Sequence, residues 1–318
     1  NKEFAKNFMN KYNIPTGSYK SFTKNTINEG VNFIKNNNPP YVLKADGPAA
    51  GKGVIIVNNV KEAVSNLEDM LLNSKFGESS RTVIIEEFLS GTEMSCFVLF
   101  DGLNYKILPY AKDYKRIGEG DSGLNTGGMG SVSPVDFLND DLKSKIKNEI
   151  IEPTINGLIN EKINYVGFIF IGLINVGNQP KVIEYNVRMG DPETQVVLPR
   201  IKNDFVELLS ACSQKKLNQI NLEIVTDYYT NIVLASGGYP EDYQKGFQIS
   251  GLNEVEDSIV FHAGTSFNNE KVVTNGGRVL SVVSSAKTMK EALNISYSNI
   301  EKINFKGKVY RKDIGFDL

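Results

Sequence analysis

The stretch from Lys181 to Gln195, KVIEYNVRMGDPETQ, carries the most informative pattern in this sequence. Because successive side chains of a β-strand point to opposite faces, the stretch predicts one polar face and one apolar face. The polar face comprises Glu184, Asn186 and Arg188, and the apolar face comprises Ile183, Tyr185 and Val187. We expect the apolar face to lie on a core and the polar face to bind a ligand. The alternative is an edge strand with a solvated charged face.

The polar face predicts a hard metal ion bound through oxygen atoms. A carboxylate and an amide two residues apart, at Glu184 and Asn186, suit Mg²⁺, or Mn²⁺ in its place, because such ions share their coordination shell with phosphate oxygens and water. One step further along, the planar guanidinium of Arg188 can bind two oxygens of a phosphoryl group. The pattern therefore favours phosphoryl-transfer chemistry.

A second pattern is the glycine-rich loop DGPAAGKG, residues 46–53, which lies between two short predicted strands. Backbone N–H groups of such a loop can approach phosphate oxygens, and a lysine ammonium offsets their charge. The spacing differs from that of a P-loop, in which Gly-Lys is followed by Ser or Thr and a helix. We therefore expect a flap over a nucleotide, and an ordinary hairpin loop is the alternative. The residues that this prediction concerns are Gly47, Gly51, Lys52 and Gly53.

The segment VIIEEFLSGTE, residues 83–93, ends a predicted strand with acidic and apolar residues. Its backbone groups can bind an adenine edge, and Glu93 can bind ribose hydroxyls, as in apolar ligand slots that contain a few placed polar groups. The alternative is a strand with a solvated acidic end. The residues expected at adenine are Glu86, Glu87, Phe88 and Leu89.

Six glycines fall between Gly118 and Gly130, which argues against helix or strand and predicts a shaped loop. Just before it, Lys115 and Arg116 form a positive pair that suits a sugar phosphate, and Asp113 suits an amine. The loop itself can wrap a small polar substrate with backbone groups. The alternative is a mobile surface loop.

Composition restricts the class of protein that these patterns can serve. The chain has 318 residues, with 35 Lys and Arg against 37 Asp and Glu, and its formal charge of −2 provides no basic field for nucleic acid. The longest mainly apolar run, Val166–Val176, is far shorter than the ~20 residues that span a bilayer, so no membrane contact is expected. One histidine, His262, excludes a polyhistidine metal site. Cys96 and Cys212 lack paired spacing, which favours a reducing compartment.

Hydrophobic periodicity predicts an α+β fold with more than one unit. Helices are expected at 3–12, 25–35, 60–71, 140–161, 196–217 and 288–303. Strands are expected at 41–45, 54–57, 82–88, 93–100, 104–111, 166–176, 181–187, 231–235, 259–263 and 278–284. The strands at 166–176 and 181–187 are expected to pair through a turn at Gly177-Asn178.

The order of these segments resembles that of one known family, the phosphoribosylamine-glycine ligases, which are ATP-grasp enzymes of purine biosynthesis. The resemblance runs from Lys2 to Gly315 and rests on VLKADGPAAGKGV, VIIEEFLSGTE, GLNTGGMG, KVIEYNVRMGDPETQ, GGYP, VFHAGT, TNGGRVL and RKDIG. It implies an ATP-grasp fold, with a small lid domain and a larger α+β domain, followed by a small β-rich C-terminal domain. The implied limits are 19–91 for the lid, 92–218 for the central domain and 219–318 for the C-terminal domain. Residues 1–18 would be a remnant helix of a leading domain that this sequence lacks.

The resemblance implies an ATP-dependent carbon-nitrogen ligase. The carboxylate of glycine would take the γ-phosphoryl group of ATP to form glycyl phosphate. The amine of 5-phosphoribosylamine would then displace phosphate and give glycinamide ribonucleotide. Without the leading domain, this chain alone is expected to be weak or inactive. The alternatives are another ATP-grasp enzyme of purine metabolism that forms an acyl phosphate, and a non-catalytic nucleotide-binding fragment.

Matched motif positions imply a role for each site residue. ATP would contact Lys2, Lys44, Gly51, Lys52, Gly53, Glu86, Glu87, Phe88, Leu89 and Glu93. Mg²⁺ or Mn²⁺ would bind Glu184 and Asn186. The catalytic residues would be Arg188, Lys115 and Asp113. Glycine and the amino sugar would contact Arg116, Asn125, Thr126, Gly127, Gly128, Asp191, Pro192, Glu193 and Thr194.

The sequence departs from the family pattern at a few positions. Tyr114 stands where members commonly have histidine, and Leu124 stands where they have proline. The strand at 166–176 has no carboxylate, although many ATP-grasp enzymes place a metal ligand there, so a second metal would be weakly held. The expected location is cytoplasmic. The expected partners are the two substrates and either a second copy of the chain or the leading domain.

Overall fold

A computed structural model describes residues 1–49 and 53–318 of the chain. The chain divides into two compact units. Unit 1 comprises Asn1–Glu93, Asp140–Ile163 and Gly172–Tyr185, and unit 2 comprises Met94–Asn139, Asn164–Ile171 and Asn186–Leu318.

Helices, singly or in consecutive pairs, are separated by one or more strands. The helices are α1 (Lys2–Lys11), α2 (Ile27–Lys35), α3 (Val60–Leu71), α4 (Asp140–Lys145), α5 (Glu152–Asn160), α6 (Thr194–Val197), α7 (Phe205–Ser213) and α8 (Met289–Lys302). A π-helical segment, Ile146–Ile151, joins α4 to α5. The strands are β1 (Tyr19–Thr23), β2 (Tyr41–Ala45), β3 (Val54–Val57), β4 (Thr82–Glu86), β5 (Thr92–Phe100), β6 (Tyr105–Ile107), β7 (Lys112–Asp113), β8 (Arg116–Gly118), β9 (Ser122–Asn125), β10 (Gly130–Ser133), β11 (Gly167–Val176), β12 (Gln179–Asn186), β13 (Tyr228–Ala235), β14 (Ser258–His262), β15 (Thr265–Asn268), β16 (Lys271–Thr274) and β17 (Arg278–Ala286).

Unit 1 contains an antiparallel sheet with the strand order β1-β4-β2-β3. All five residues of β2 are buried, and α3 buries Ala63 and Leu67 on one face at helical spacing. The side chain of Asn59 begins α3 by accepting a hydrogen bond from the backbone N–H of Lys61 at 2.8 Å. The apolar core takes Tyr41, Leu43 and Ala45 from one face of β2, so Lys44, its fourth residue, lies on the opposite face.

A second sheet has the strand order β12-β11-β5-β6. β11 and β12 are joined by Gly177 and Asn178, both of which have positive φ, as a tight hairpin turn requires. At the start of β5, Gly91 approaches β11 so closely that a Cβ atom would lie 2.1 Å from the carbonyl oxygen of Asn175. Glycine is thus required at that crossing.

Unit 2 contains an antiparallel sheet with the strand order β14-β17-β13-β10-β7. The helix α8 packs on it through Ala292 and Ile300, and the core includes Ile232 and Val282. Thr288 and Glu291 form a capping box at the start of α8. The edge strand β7 carries Asp113 beside Ser131 of β10, so this sheet positions a predicted substrate residue.

Most sequence-based expectations for the elements are confirmed. The structure has a helix close to each of the predicted ranges 3–12, 25–35, 60–71 and 288–303, and the predicted β11–β12 pair forms at the predicted turn. Cys96 and Cys212 are buried free thiols. Among the described residues, no helix is long and apolar enough to cross a membrane.

Three expectations are wrong. Residues 118–130 include strand, since β8 and β9 pair through Arg116 and Asn125. The helix predicted at 196–217 is broken, because Pro199 lacks a backbone N–H and a short 3₁₀ turn at Leu198–Arg200 ends α6 before α7 begins. The strand predicted at 104–111 is limited to Tyr105–Ile107 and is followed by Pro109.

The polar and apolar faces predicted for residues 183–188 also need correction. β12 ends at Asn186, so Val187 and Arg188 lie beyond the alternation of the strand. Val187 is 71% exposed and does not belong to a core. Burial of Val182 on the same face as Glu184 shows that this face is apolar at one end and polar at the other.

Candidate active site

Four residues of unit 1 form a largely buried ionic group, which we call the lysine cluster: Lys2, Lys6, Lys44 and Glu86. The Glu86 carboxylate lies 2.8 Å from Lys44 Nζ and 3.1 Å from Lys6 Nζ. Glu86 pairs with Val42 across the sheet, so Lys44, two residues further along β2, is its diagonal neighbour on the same face. Two ammonium groups on one carboxylate leave a positive excess, which suits an anion.

Lys2 and Lys6 come from the first helix and lie one helical turn apart on α1. Lys2 Nζ donates hydrogen bonds to the carbonyl oxygens of Ala45 at 2.8 Å and Gly47 at 3.3 Å. Burial lowers the pKa of Lys2, and the negative charge of Glu184 opposes that shift. Burial also lowers the pKa of Lys6, and Glu86 opposes it. The cluster therefore holds ammonium groups that have lost much of their hydration, which strengthens their attraction for a phosphate.

The residues predicted at adenine and ribose follow the end of β4. Glu87 accepts a hydrogen bond from the backbone N–H of Ser18 at 3.0 Å, and this bond lowers the pKa of Glu87. Phe88 is 41% exposed, and Leu89 is half-buried. Glu93 lies in β5 and is also half-buried. The backbone N–H of Glu87 donates to the carbonyl oxygen of Ser18 at 2.8 Å, and Phe88 and Leu89 follow beyond the end of the strand.

The glycine-rich loop joins two paired strands, as predicted, since β2 and β3 are antiparallel neighbours. Gly53 is buried at its end, where its carbonyl oxygen accepts a hydrogen bond from the backbone N–H of Ala45 at 2.8 Å. A Cβ atom at Gly53 would lie 2.7 Å from the Cβ of Ala49. The predicted phosphate-binding residues Gly51 and Lys52 lie outside the described residues.

The two predicted metal ligands occupy alternate positions of β12 and therefore share a face. Glu184 is exposed and Asn186 is half-buried, which leaves both accessible to a ligand. Within the described ranges, no group of three or more His, Cys, Asp or Glu side chains could hold a metal ion. A pair of oxygen donors of this kind fits an ion that completes its shell with phosphate oxygens and water, as Mg²⁺ does.

In unit 2, the predicted residues Asp113, Lys115 and Glu193 lie together. Glu193 is 4% exposed and accepts a hydrogen bond from Ser95 Oγ at 2.9 Å. Burial, together with the nearby negative charge of Asp113, raises the pKa of Glu193 to about 7. Lys115 Nζ lies 3.8 Å from Asp113 Oδ1. Two carboxylates that repel each other here would gain from a cationic ligand between them.

The β8–β9 hairpin and the glycines after it form the next part of the predicted substrate set. Arg116 Nη1 donates a hydrogen bond to the carbonyl oxygen of Gly123 at 2.9 Å across the hairpin. Thr126 Oγ1 donates to the carbonyl oxygen of Lys115 at 2.8 Å and accepts from the backbone N–H of Gly128 at 2.9 Å. Asn125 pairs with Arg116 in the ladder. The chain from 115 to 128 is thus shaped by its own hydrogen bonds.

Buried polar side chains donate hydrogen bonds to the backbone of the GDPET segment, residues 190–194. The carbonyl oxygen of Pro192 accepts hydrogen bonds from Ser131 Oγ at 2.7 Å and from Asn231 Nδ2 at 3.0 Å. The hydroxyl of Thr194, the first residue of the short helix α6, donates to the carbonyl oxygen of Gly190. Arg188 Nη1 donates to the carbonyl oxygen of its neighbour Met189 at 2.8 Å.

Sequence reasoning missed several residues of this site. Lys6 had a signal, because it lies four residues after Lys2 on a predicted helix and therefore on the same face. Ser95 and Asn231 carried no signal, since single polar residues in apolar strands are common. Arg278 and Tyr239 lie in the segments TNGGRVL and GGYP, which were noted but given no role.

The fold is that of the ATP-grasp class. The structure is similar to the biotin carboxylase domain of a 2-oxoglutarate carboxylase from Hydrogenobacter thermophilus, with a TM-score of 0.72 over 96% of this chain and 66% of that chain. Sequence identity is 16%, so this likeness concerns the fold alone.

The chain belongs to the phosphoribosylglycinamide synthetase family. Residues 1–194 match the model of the phosphoribosylglycinamide synthetase ATP-grasp (A) domain, and residues 229–317 match the model of the C domain of the same family. A crystal structure of phosphoribosylamine-glycine ligase from Thermotoga maritima matches with a TM-score of 0.87 and 37% identity, over 98% of this chain and 78% of that chain.

Curated relatives are longer than this chain. A phosphoribosylamine-glycine ligase from Caldanaerobacter subterraneus is 45% identical over 313 residues, which are 98% of this chain and 75% of that protein. A bifunctional purine biosynthetic protein from Pichia angusta is 44% identical over 316 residues, which are 98% of this chain and 40% of that protein. The chain therefore spans about three quarters of the single-function ligase and well under half of the bifunctional protein.

Proposed function

We propose that this chain carries the nucleotide-binding and ligating machinery of a phosphoribosylamine-glycine ligase. The reaction joins the carboxylate of glycine to the amine of 5-phosphoribosylamine, consumes ATP, and gives glycinamide ribonucleotide, ADP and phosphate. The observation that carries the proposal is the lysine cluster next to Glu184, in a chain of the phosphoribosylglycinamide synthetase family. The reaction needs such a group because two anions, a carboxylate and a triphosphate, must approach each other.

The lysine cluster would bind the phosphates of ATP. Lys2 and Lys44 would contact phosphate oxygens, together with the loop that contains Gly51, Lys52 and Gly53. Glu86 orients Lys44 through the 2.8 Å contact and provides the negative charge that both buried ammonium groups face. Adenine would lie on the backbone of Glu86, Glu87, Phe88 and Leu89, with ribose on Glu93.

Glu184 and Asn186 would hold Mg²⁺, which, when bound, neutralises charge on the phosphate oxygens. Arg188 follows on the same chain segment, and its guanidinium would bind oxygens of the γ-phosphoryl group. Its bond to the carbonyl of Met189 occupies part of the guanidinium and leaves other donors for a ligand.

Glycine would bind in unit 2 with its ammonium group between Asp113 and Glu193. The raised pKa of Glu193 reflects burial and its repulsion by Asp113, and a ligand ammonium would relieve that repulsion. Lys115 would meet the glycine carboxylate as it becomes an acyl phosphate. Arg116 and the 125–128 backbone, with Asp191, Pro192 and Thr194, would shape the room for the amino sugar.

The test is glycine-dependent ADP formation by the complete polypeptide that contains this sequence. With Mg·ATP and 5-phosphoribosylamine, omission of glycine should abolish ADP release. Glycine-independent ADP release, or release that follows a different carboxylate, would contradict the proposal.

Glu184→Gln isolates the metal assignment, because it removes the charge and keeps the shape of the side chain. We expect a loss of about 100-fold or more in the rate of ADP formation at fixed Mg²⁺, partly restored at higher Mg²⁺. Glu152→Gln, at a half-buried position of unit 1 whose side chain is 43% exposed, is a control that should retain activity. Unchanged ADP formation in Glu184→Gln would contradict the metal assignment.

Three further points remain predictions of the same proposal. The domain limits would be 19–91 for the lid, 92–218 for the central domain and 219–318 for the C-terminal domain. Limited proteolysis should cut near residues 91 and 218 if these limits hold. We also propose a cytoplasmic location and a homodimer, which fractionation and analytical ultracentrifugation would test.

A further inference from the structure

Arg278, the first residue of β17, joins two segments of unit 2 that are far apart in sequence. Its Nη1 donates a hydrogen bond to the carbonyl oxygen of Gly127 at 2.7 Å and another to the carbonyl oxygen of Asp191 at 3.0 Å. Its Nη2 pairs with the Asp191 carboxylate at 2.5 Å. One planar guanidinium thus fixes the distance between the glycine pair 127–128 and the GDPET segment.

A second residue of the same region reinforces this arrangement. The hydroxyl of Tyr239, in the GGYP segment, accepts a hydrogen bond from the backbone N–H of Gly127 at 2.9 Å. The peptide groups of Gly127 therefore have partners on both sides, since Tyr239 takes the N–H and Arg278 takes the carbonyl oxygen. These bonds hold the two successive peptide groups on either side of the Gly127 Cα, so the backbone has little freedom to rotate there.

Packing around the two glycines leaves no room for side chains. A Cβ atom at Gly127 would lie 2.9 Å from the guanidinium carbon of Arg278. At Gly128, where φ is +115°, a Cβ atom would lie 2.3 Å from Cδ of Pro192. The glycine pair therefore packs directly against Arg278 and the GDPET segment, and its position depends on both.

The charge and exposure of Arg278 distinguish it from an ordinary surface arginine. Its side chain is 21% exposed, whereas the Asp191 side chain is 55% exposed. The guanidinium donates to two backbone carbonyls and to one carboxylate. Lysine could not reproduce this geometry, because an ammonium lacks the planar fork that reaches two segments at once.

We propose that Arg278 is a positioning residue for the substrate half of the site, assisted by Tyr239. It acts through the 127–128 peptide and Asp191, both of which belong to the residues proposed to bind glycine and the amino sugar. The inference rests on the proposed ligase function. Its effect falls on substrate binding and not on ATP binding, because the segments that Arg278 holds carry none of the proposed nucleotide residues.

Steady-state kinetics of the complete polypeptide test this inference. Arg278→Met should raise KM for glycine by about tenfold or more, because the lost bonds are charge-assisted, and should leave KM for ATP within about twofold. Arg278→Lys keeps the charge and should raise KM for glycine severalfold. Tyr239→Phe should produce a smaller rise of the same kind. Lys287→Met is the matched control, since Lys287 follows the far end of the same strand and pairs with Asp227 in an exposed position.

The possible outcomes separate this inference from the proposed function. If the wild type forms no ADP in response to glycine, the ligase function fails and the inference fails with it. If the wild type is active and the Arg278 variants show unchanged KM for glycine, or equal rises in KM for glycine and ATP, only the inference fails. Hydrogen exchange provides a second measurement: backbone amides at 127–128 should exchange faster in Arg278→Lys than in the wild type, with amides of β2 unchanged. Unchanged exchange at 127–128 would overturn the positioning role.

Discussion

Glu86 is buried between the ammonium groups of Lys6 and Lys44, and its carboxylate is what makes their burial tolerable. A buried charge that keeps a partner is stable, whereas one that loses its partner destabilises the fold strongly. Lys6 also donates a hydrogen bond to Thr16 Oγ1 at 2.7 Å, which ties the first helix to the chain before β1. The burial of the two ammonium groups that are proposed to attract ATP therefore depends on a single residue, Glu86.

Glu86→Gln should accordingly destabilise the protein by about 3 kcal/mol, because two buried ammonium groups would face each other without a counter-charge. Urea denaturation measures the change. Glu87→Gln is the control at the next position, where the carboxylate is partly exposed and bonds to Ser18, and its effect should be much smaller. Equal effects from the two variants would contradict this account of the lysine cluster.

Glu193 predicts a pH dependence of stability. Its pKa is about 7 in the folded protein, against the ordinary value of 4.5. Between these values the folded state binds more protons than the unfolded chain, so this residue makes stability fall as pH rises from about 4.5 to 7. Glu193→Gln should remove that fall, and the variant should gain on the order of 2 kcal/mol relative to the wild type between pH 5 and pH 8. Denaturation at several pH values would show this.

An exposed glutamate gives the comparison for that experiment. Glu223→Gln changes the same functional group at the surface of unit 2 and should show no comparable pH-dependent gain. A Glu193→Gln variant whose stability follows the wild type in parallel from pH 5 to pH 8 would mean that Glu193 is not held neutral by burial and by Asp113.

At the element scale, the β8–β9 hairpin shows how a glycine-rich stretch becomes ordered. Gly120 takes positive φ in the turn at Glu119–Asp121, and Gly123 takes positive φ within β9, while Arg116 and Asn125 pair across the hairpin. The buried guanidinium of Arg311 then binds Asp121 at 2.6 Å and so holds the tip of the hairpin. Glycine content alone predicted a loop, because glycine increases the conformational freedom of the backbone. It carries no information about Arg311, which is distant in sequence and restricts that freedom through its bond to Asp121.

Substitutions at two glycines of this region distinguish the cost of backbone strain from the cost of a packing clash. Gly128 has φ of +115° and would place a Cβ atom 2.3 Å from Pro192, whereas Gly120 has φ of +62° and no atom within 4 Å of its Cβ position. Gly120→Ala should cost about 1 kcal/mol through φ alone, and Gly128→Ala about 3 kcal/mol through φ and a clash. Thermal or chemical denaturation of both variants gives the difference. Similar costs at the two positions would show that the 128–192 contact is loose.

At the scale of the whole molecule, a formal charge of −2 leaves no general attraction for anions, so ATP binding must depend on local groups. Mg·AMP-PNP at 100 times its Kd should stabilise the protein by about 2.7 kcal/mol and raise its melting temperature. Adenosine, which lacks the phosphates, should give a much smaller shift, and excess EDTA should reduce the shift from the nucleotide. Equal shifts from adenosine and Mg·AMP-PNP would contradict the phosphate-binding role of the lysine cluster.

The amino-acid sequence by itself determined many of the regular elements, the hairpin at 177–178, the motif order and the family, because each depends on residues close together in the chain or on a matched succession of motifs. It also identified Glu184, Lys44, Asp113 and Glu193 as residues of interest. Their roles in binding and catalysis are predictions.

Only the tertiary structure decided which distant residues support those groups. The two lysines on Glu86 come from α1 and β2, and Arg278 reaches Gly127 and Asp191 across 151 and 87 positions of sequence. Local periodicity carries no signal for such pairs, since burial and hydrogen-bond geometry arise when strands and helices pack. The sequence could therefore indicate the candidate site residues, whereas the tertiary structure was needed to identify the distant residues that position them.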